Sequence, residues 1–241
     1  MGELVAGVAH EINNPATSLM LNAPSLKKAW YAFTPVLDNY FTNHKDTLVC
    51  NMPYAELSKR IIMMLTAMED SAARIKRIIT ELKDFSRPTG ADMACEIDIN
   101  LVVKKSLDLT HSILKKATHH LSVDLEEGLP KISGNPQKRQ QVMINLLVNA
   151  SQALETPEQF IHVKTSKTAA AHFLMIEVTD SGPGVLPENL KKMKDPFFTT
   201  KRDHGGTGLG LSISDKIVYD HKGLMEFSSE FGKGLTAKIL L

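Results

Sequence analysis

Between Ala55 and Ser86 the apolar residues Ile61, Leu65, Met68, Ala72, Ile75, Ile79 and Leu82 recur at alternating spacings of four and three. A seam of that period lies along one side of an α-helix and must be covered by other helices, which restricts this part of the chain to a coiled coil or helical bundle. Glu69, Asp70, Arg74, Lys76, Arg77, Glu81 and Lys83 fall off the seam. Pro53 stands ahead of the helix, and Pro88 and Gly90 end it. An earlier helix carries its own stripe, Val5, Val8, Ile12 and Leu19, continued by Leu26, Trp30 and Phe33. Pro15 and Pro24 should bend it, because proline removes a backbone donor and clashes one turn back. The segment Pro35 to Pro53 is the expected connection, long for a helical hairpin. Two amphipathic helices cannot close a core alone, so a second copy is expected to complete a four-helix bundle.

After Pro88 the pattern changes to alternating helices and strands. Ile97 to Ile99 reads as a short strand, and Asn100 as the cap of a helix to about Ala117. Strand patterns follow at Leu121–Val123–Leu125, Ile161–Val163–Thr165 and Leu174–Ile176–Val178–Asp180. Gly134-Asn135-Pro136 opens a helix to about Leu154, and Gly205 to Gly210 leads into another that ends near His221, with Gly223 as its stop. Two last strands, Leu224 to Ser229 and Leu235 to Leu241, flank a turn. The expected division is therefore 1–88, a helical hairpin, and 89–241, an α/β domain with helices on one face of a sheet.

The balance of 28 Lys and Arg against 27 Asp and Glu excludes a generally basic nucleic-acid binder and an acidic disordered chain. No apolar run approaches the ~20 residues that span a bilayer. Cys50 and Cys95 cannot build a disulfide framework and fit a reduced compartment. The helical pattern starts almost at Met1, so the sequence reads as part of a longer protein.

Four segments offer chemistry. His10 lies two residues from both Val8 and Ile12, hence about 200° from the apolar stripe, on the wet face of its helix. Glu11 can take a proton from the imidazole or orient it, and Asn14, one turn on, shares its face. A zinc protease would need His where Asn14 stands. An ordinary solvated histidine remains the plain alternative. On the helix Gln137 to Leu154, Asn145, Asn149 and Gln152 form a polar stripe opposite Val142, Met143, Leu146, Leu147 and Ala150. Asparagine is a poor helix-interior residue, and its amide oxygen suits Mg²⁺, although an exposed amide stripe looks the same. Asp180 ends a strand on its inward face, where a carboxylate can accept from a base amino group, and Gly182 and Gly184 permit tight turns and close approach by a flat ring. Gly205-Gly206-Thr207-Gly208-Leu209-Gly210-Leu211-Ser212 frees backbone donors at a helix start. It is neither a P-loop nor a dinucleotide fingerprint. Lys201, Arg202 and His204 can meet phosphates or simply be solvated, and the Lys191, Lys192, Lys194 cluster reads as a solvated face.

In this order the segments resemble the boxes of two-component histidine kinases. His10 to Pro15 resembles the H box in its nitrogen- and dicarboxylate-sensor-like HEINNP variant, and Asn145 to Leu154 the N box. Asp180 to Gly184 is similar to the first glycine box, Asp195 to Lys201 to the F box, and Gly205 to Ser212 to the second glycine box. The resemblance implies a dimeric phosphotransfer hairpin followed by a Bergerat-type ATP-binding domain. It implies His10 as phosphoacceptor, Glu11 as its acid/base partner and Asn14 in the phosphatase position. Asn149 falls in the Mg²⁺ position with Asn145 supporting it, and Asp180 in the adenine-reading one. Gly182, Gly184, Gly206, Gly208 and Gly210 match nucleotide-loop glycines, with Phe198, Thr199, Lys201, Thr207 and Leu209 lining the same site. Phe197 and Phe198 would anchor a lid, with Gly205 and Gly206 as hinges. ATP and Mg²⁺ are the implied cofactors. A response-regulator receiver domain and a second copy are the implied partners, with no nucleic acid. The implied location is cytoplasmic, any membrane anchor lying upstream. One departure is Gln152, where many family members carry a basic residue; phosphate neutralisation then falls on Lys201 or Arg202. A receiver-binding scaffold without kinase activity would predict a degraded nucleotide site. A chaperone or repair ATPase would leave His10, Glu11 and the hairpin unexplained.

Overall fold

The computed structural model describes residues 2–44, 46–86, 95–168, 173–201 and 206–241, with the backbone alone for 2–14 and 81–86. The chain forms two compact units, Met1–Arg87 and Pro88–Leu241.

The first unit pairs α1 (Gly2–Asn43) with α2 (Tyr54–Ser86) through a small hairpin of β1 (Leu48–Val49) and β2 (Met52–Pro53). Cys50 and Asn51 form its tip at φ 52° and 59°. Positive φ at both central residues is the type I′ geometry that matches strand twist in a two-residue loop. The connection is therefore shorter than Pro35 to Pro53, because α1 continues through Pro15, Pro24 and Pro35. All three prolines are exposed, so the carbonyls they leave unpaired can be met by water.

The helices run antiparallel. Ala16 packs with Ile79, Lys27 bonds Glu69, and Phe41 stacks on Tyr54 at 4.5 Å. The inner seam of α1 is Ala16, Met20, Ala23, Lys27, Trp30, Thr34, Leu37 and Phe41, again at spacings of four and three. This corrects part of the stripe expected for α1: Leu19, Leu26 and Phe33 are 40%, 54% and 62% exposed, one position off the seam, whereas Trp30 lies on it and the side chains of Val5, Val8 and Ile12 lie outside the described residues. On α2, Leu65, Ala72 and Ile79 are buried, whereas Met68 is exposed and Glu69 faces inward to pair with Lys27 at 2.7 Å. Small residues decide the geometry, since Ala23 and Ala72 are fully buried and let the helices approach closely. Replacing Ala72 with Leu forces three extra carbons into that contact. A loss of ~1–3 kcal/mol is expected, read as a lower unfolding midpoint.

The second unit is a five-stranded sheet, order β4-β6-β7-β9-β8, with β4 and β6 parallel and the other pairs antiparallel. Its strands are β4 (His120–Leu125), β6 (Phe160–Lys167), β7 (Leu174–Asp180), β8 (Leu224–Glu230) and β9 (Gly234–Leu240). Period-two alternation turns Ile161, Val163, Ile176, Val178, Ala237 and Ile239 to the core. The other face carries Thr179 on Thr236 and Lys238 on Glu177. Helices α3 (Ile99–Ala117), α4 (Pro136–Ala153) and α6 (Gly210–Asp220) belong to this core, and α5 (Pro187–Leu190) is one turn. A separate pair, β3 (Cys95–Ile97) with β5 (Ile132–Gly134), lies outside the main sheet, and β5 carried no alternation long enough to be foreseen.

Asp98, not Asn100, caps α3, its carboxylate accepting from Leu101 N. Asn100 instead accepts from Thr165 Oγ1 at 2.7 Å and donates to the Glu126 carbonyl, stapling α3 to the sheet. Asn135 caps α4 through Lys138 N, and its own N–H donates to His221 Nε2 at 3.0 Å. His221 Nδ1 lies 2.7 Å from the Ile217 carbonyl, so the two bonds together require a neutral ring. Burial holds this imidazole below its usual range, Arg139 acts in the same direction, and the Ile217 carbonyl and Asp220 oppose it. The unfolded chain therefore takes up a proton near pH ~6.5 that the folded chain resists. Stability is complete above that pH and declines as pH falls toward the lower folded value. Urea midpoints between pH 8 and 5 should show this slope, and it should flatten in His221→Gln.

Candidate functional site

The site is built around the polar side of α4. Val142, Met143, Leu146, Leu147 and Ala150 are buried, which leaves Asn145 and Asn149 half-buried on another face and Gln152 exposed. Asn149 Nδ2 donates to Asn145 Oδ1 at 3.4 Å, and Asn145 Nδ2 donates to Ser214 Oγ on α6 at 2.9 Å. With its nitrogen committed to Asn145, Asn149 keeps its carbonyl oxygen as a hard donor of the kind divalent cations take. Among the described residues no group of three or more His, Cys, Asp or Glu is placed to hold a metal ion.

Two glycine turns flank the stripe. Asp180, 3% exposed at the end of β7, accepts from Gly182 N at 3.0 Å. Burial pushes its carboxyl up, opposed by the N–H groups of Gly182 and Leu235 and by the charge of Lys201. Burial in turn lowers the Lys201 ammonium, against the pull of Asp180. Gly182 is required by α4 itself, since a Cβ there would stand 2.6 Å from the Ala153 carbonyl. Gly184 (φ 72°) meets the β8–β9 backbone instead, with Glu230 O 2.6 Å from a Cβ position. What it avoids is the chain's own strands. On the other side, Gly210 opens α6 against Asn145, whose Oδ1 would be 2.5 Å from a Cβ.

The segment between these turns has a folded stem. Phe197 N donates to Gly208 O at 2.9 Å, Gly206 N to Lys201 O at 3.0 Å, and Lys201 N to Thr199 Oγ1 at 3.0 Å. Thr207 Oγ1 accepts from Leu209 N, and Leu209 is buried at the start of α6. Phe198 is half-buried, but Phe197 is 56% exposed at φ 68°, so its ring is not packed as an anchor. Lys194 also departs from the solvated face expected for it: its Nζ donates to the Met225 carbonyl and pairs with Asp215 at 2.8 Å. The neighbouring Asp215 and the open carbonyl on β8 come from distant sequence, so no local signal marks this role.

The structure thus brings together Asn145, Asn149, Asp180, Gly182 and Gly210, with Lys201 electrostatically coupled to Asp180. His10, Glu11 and Asn14 have helical backbone within α1, but their side chains lie outside the described residues, as do Arg202, His204 and Gly205. Residues the sequence did not single out also shape the site. Ser181 Oγ accepts from Phe160 N at 2.7 Å, and Gln159 Nε2 donates to the Ser181 carbonyl. Gly234 (φ 103°) passes so close to Asp180 that a Cβ would fall 1.9 Å from its carbonyl.

A mixed sheet backed by helices thus holds a buried strand-end aspartate, an asparagine pair and two glycine turns. Residues 134–241 match the family of histidine kinase-, DNA gyrase B-, and HSP90-like ATPases. Over 241 residues the chain is 31% identical to the sensor histidine kinase ZraS of Escherichia coli K12, covering 100% of this chain and 45% of that protein. It is 32% identical to sporulation kinase E of Bacillus subtilis, covering 28% of that protein. The chain therefore spans less than half the length of these curated relatives. The crystal structure of full-length ShkA in complex with AMPPNP superposes on 100% of the chain and 45% of ShkA, with a TM-score of 0.72 at 18% identity, a likeness of fold. Residues 134–241 therefore carry a histidine kinase-, DNA gyrase B-, and HSP90-like ATPase domain, and the chain as a whole is similar in sequence to sensor histidine kinases.

Gly208, at φ 71°, would place a Cβ 2.4 Å from the Phe197 carbonyl carbon. Gly208→Ala should therefore open the stem, costing more than the ~1 kcal/mol of an ordinary glycine replacement. Faster proteolysis between 197 and 208 would report it, and unchanged cleavage would count against the stem.

Proposed function

We propose that the chain phosphorylates His10 with ATP and passes the phosphoryl group to an aspartate of a response-regulator receiver domain, with phosphatase activity toward that regulator. Residues 1–88 serve as the dimerisation and phosphotransfer unit and 89–241 as the ATP-binding unit. The neutral imidazole forms the N–P bond as the bond from the γ-phosphorus to ADP breaks, and Glu11 takes the ring proton. Asn14 orients the water of the phosphatase reaction. Positioning and electrostatics carry phosphoryl transfer, because the transition state has little covalent chemistry for the protein to supply.

The observation that supports this most is the enclosure of Asp180: a buried carboxylate at a strand end, held by Gly182 N–H at 3.0 Å. A carboxylate so held accepts a base amino group and rejects bases lacking one. The Asn149 oxygen fits Mg²⁺, which when bound would screen the phosphate charges; Asn145 supports it and Lys201 meets the phosphates. Backbone donors of Gly206, Thr207, Gly208, Leu209 and Gly210 fit an anion at the start of α6. Leu19, Leu26 and Phe33 form an exposed apolar line at spacings of seven on α1, which favours a second copy covering it as a four-helix bundle. Among the described residues no helix is long and apolar enough to cross a membrane, and the proposed location of this portion is the cytoplasm.

Incubation with γ-labelled ATP tests the reading. The unmodified chain should become labelled and His10→Gln should not. Asp180→Asn presents an amide that can turn its N–H₂ toward the base, and nucleotide affinity by calorimetry should fall ~10-fold or more. Full labelling of His10→Gln would reject the phosphoacceptor, and absent ATP binding would favour a receiver-binding scaffold instead.

A further inference from the structure

We infer that Gln159 is a positioning residue for nucleotide binding, setting the Asp180 carboxylate through the single peptide that joins Ser181 to Gly182. The inference rests on the reading of Asp180 as the acceptor of the base amino group given above.

The orientation of the Gln159 amide is fixed by its partners. Its Oε1 accepts from Glu155 N at 2.6 Å and from Thr156 N at 3.1 Å, and its Nε2 donates to the Ser181 carbonyl at 2.8 Å. Backbone N–H groups only donate and a carbonyl only accepts, so a reversed amide would lose all three bonds. The peptide that receives the third bond is planar and trans, and its C=O and N–H point in opposite directions. On its far side the Gly182 N–H donates to Asp180 Oδ1 at 3.0 Å. One amide on the loop between α4 and β6 thus aims the donor that holds the carboxylate. The neighbouring bonds do not do this. Ser181 N–H donates to the Phe160 carbonyl at 3.1 Å and Ser181 Oγ accepts from Phe160 N at 2.7 Å, which pins Ser181 on its N-terminal side. The peptide beyond could still turn over, because the residue after it is a glycine and enters positive φ without steric cost. A half-turn would set the Ser181 carbonyl against the Asp180 carboxylate, acceptor against acceptor, and withdraw the Gly182 N–H. The carboxylate's other backbone partner, Leu235 N–H, belongs to the ladder in which Leu235 pairs with Asp180 and is fixed by the strands. Gln159 is therefore the bond that keeps the turn in the orientation Asp180 needs. A carboxylate has about four lone-pair sites, so two N–H groups leave room for the base.

Hypoxanthine carries a carbonyl where adenine carries its amino group, so the ratio of ADP to IDP affinity reads the Asp180 contact while sugar and phosphates stay the same. Both affinities are obtained on the full chain by displacement of a fluorescent ADP analogue at one Mg²⁺ concentration. Gln159→Glu keeps an acceptor for Glu155 N and Thr156 N but, ionised at about pH 8, has no hydrogen to give the Ser181 carbonyl. It should lower the ratio ~10-fold through weaker ADP binding, with the IDP affinity retained. A general loosening of the loop would weaken both nucleotides alike and leave the ratio in place. Gln159→Met, of similar length but without a polar end, should lower the ratio as far, and it serves if the glutamate variant does not fold. Asp180→Asn supplies the reference. If Asp180→Asn collapses the ratio while Gln159→Glu and Gln159→Met retain it, the role of Gln159 is wrong and the reading of Asp180 stands. If Asp180→Asn retains the ratio, the reading of Asp180 fails and the inference with it.

Discussion

Helix α4 must be dry on one side and chemically available on another, and the second unit is organised by that demand. Val142, Met143, Leu146, Leu147 and Ala150 are buried, so the helix cannot rotate without exposing its apolar face. Its start is tied down by the Asn135 cap and by the bond from Asn135 N–H to His221 at the end of α6. Its far end is pressed by the Gly182 turn, where the Ala153 carbonyl leaves no room for a side chain. Between those ties Asn145 and Asn149 have one place to be. Their spacing of one turn puts them on one face, and α6 supplies the hydroxyl to which Asn145 donates.

The same helix explains why the glycines stand where they do. Gly182 and Gly210 are the points at which the β7 turn and the start of α6 reach α4 most closely. Gly184 and Gly234 belong to a different contact, between the turn after β7 and the strands β8 and β9. The glycines of both turns thus make room for the chain's own backbone and side chains. The Arg139 guanidinium, 7% exposed near the start of α4, is held down to about 10 by burial. It reaches the Ser133 carbonyl, and with His221 it crowds Gly134 (φ 159°) from the other side.

In the helical unit the periodicity was legible and the exact facing was not. A spacing of four and three is satisfied by two neighbouring stripes on α1, and hydrophobicity favours the one with Leu19, Leu26 and Phe33. The hairpin selects the other, with Ala16 and Ala23, because small residues permit close approach and Lys27 finds Glu69 there. A charged residue inside a seam is unreadable from one helix, since its partner lies 42 positions away. The short connection was hidden for a related reason: three prolines suggest an end to the helix, yet each sits where water can meet the carbonyl it frees.

The sequence by itself determined the alternation of helices and strands, the break between the two units and the residue types of the site. Those depend on periodicity and on local chemistry: the reach of an amide, the charge of a carboxylate, the missing Cβ of glycine. Tertiary structure alone decided which groups act on one another. Asp98 displaced Asn100 as a cap because Thr165 and the Glu126 carbonyl claimed the asparagine. Lys194 left its solvated cluster for Asp215 and the Met225 carbonyl. Ser214 met Asn145 across 69 positions of chain. A hydrogen bond is chosen by distance and direction between partners, and for partners remote in sequence only the packed fold sets either one.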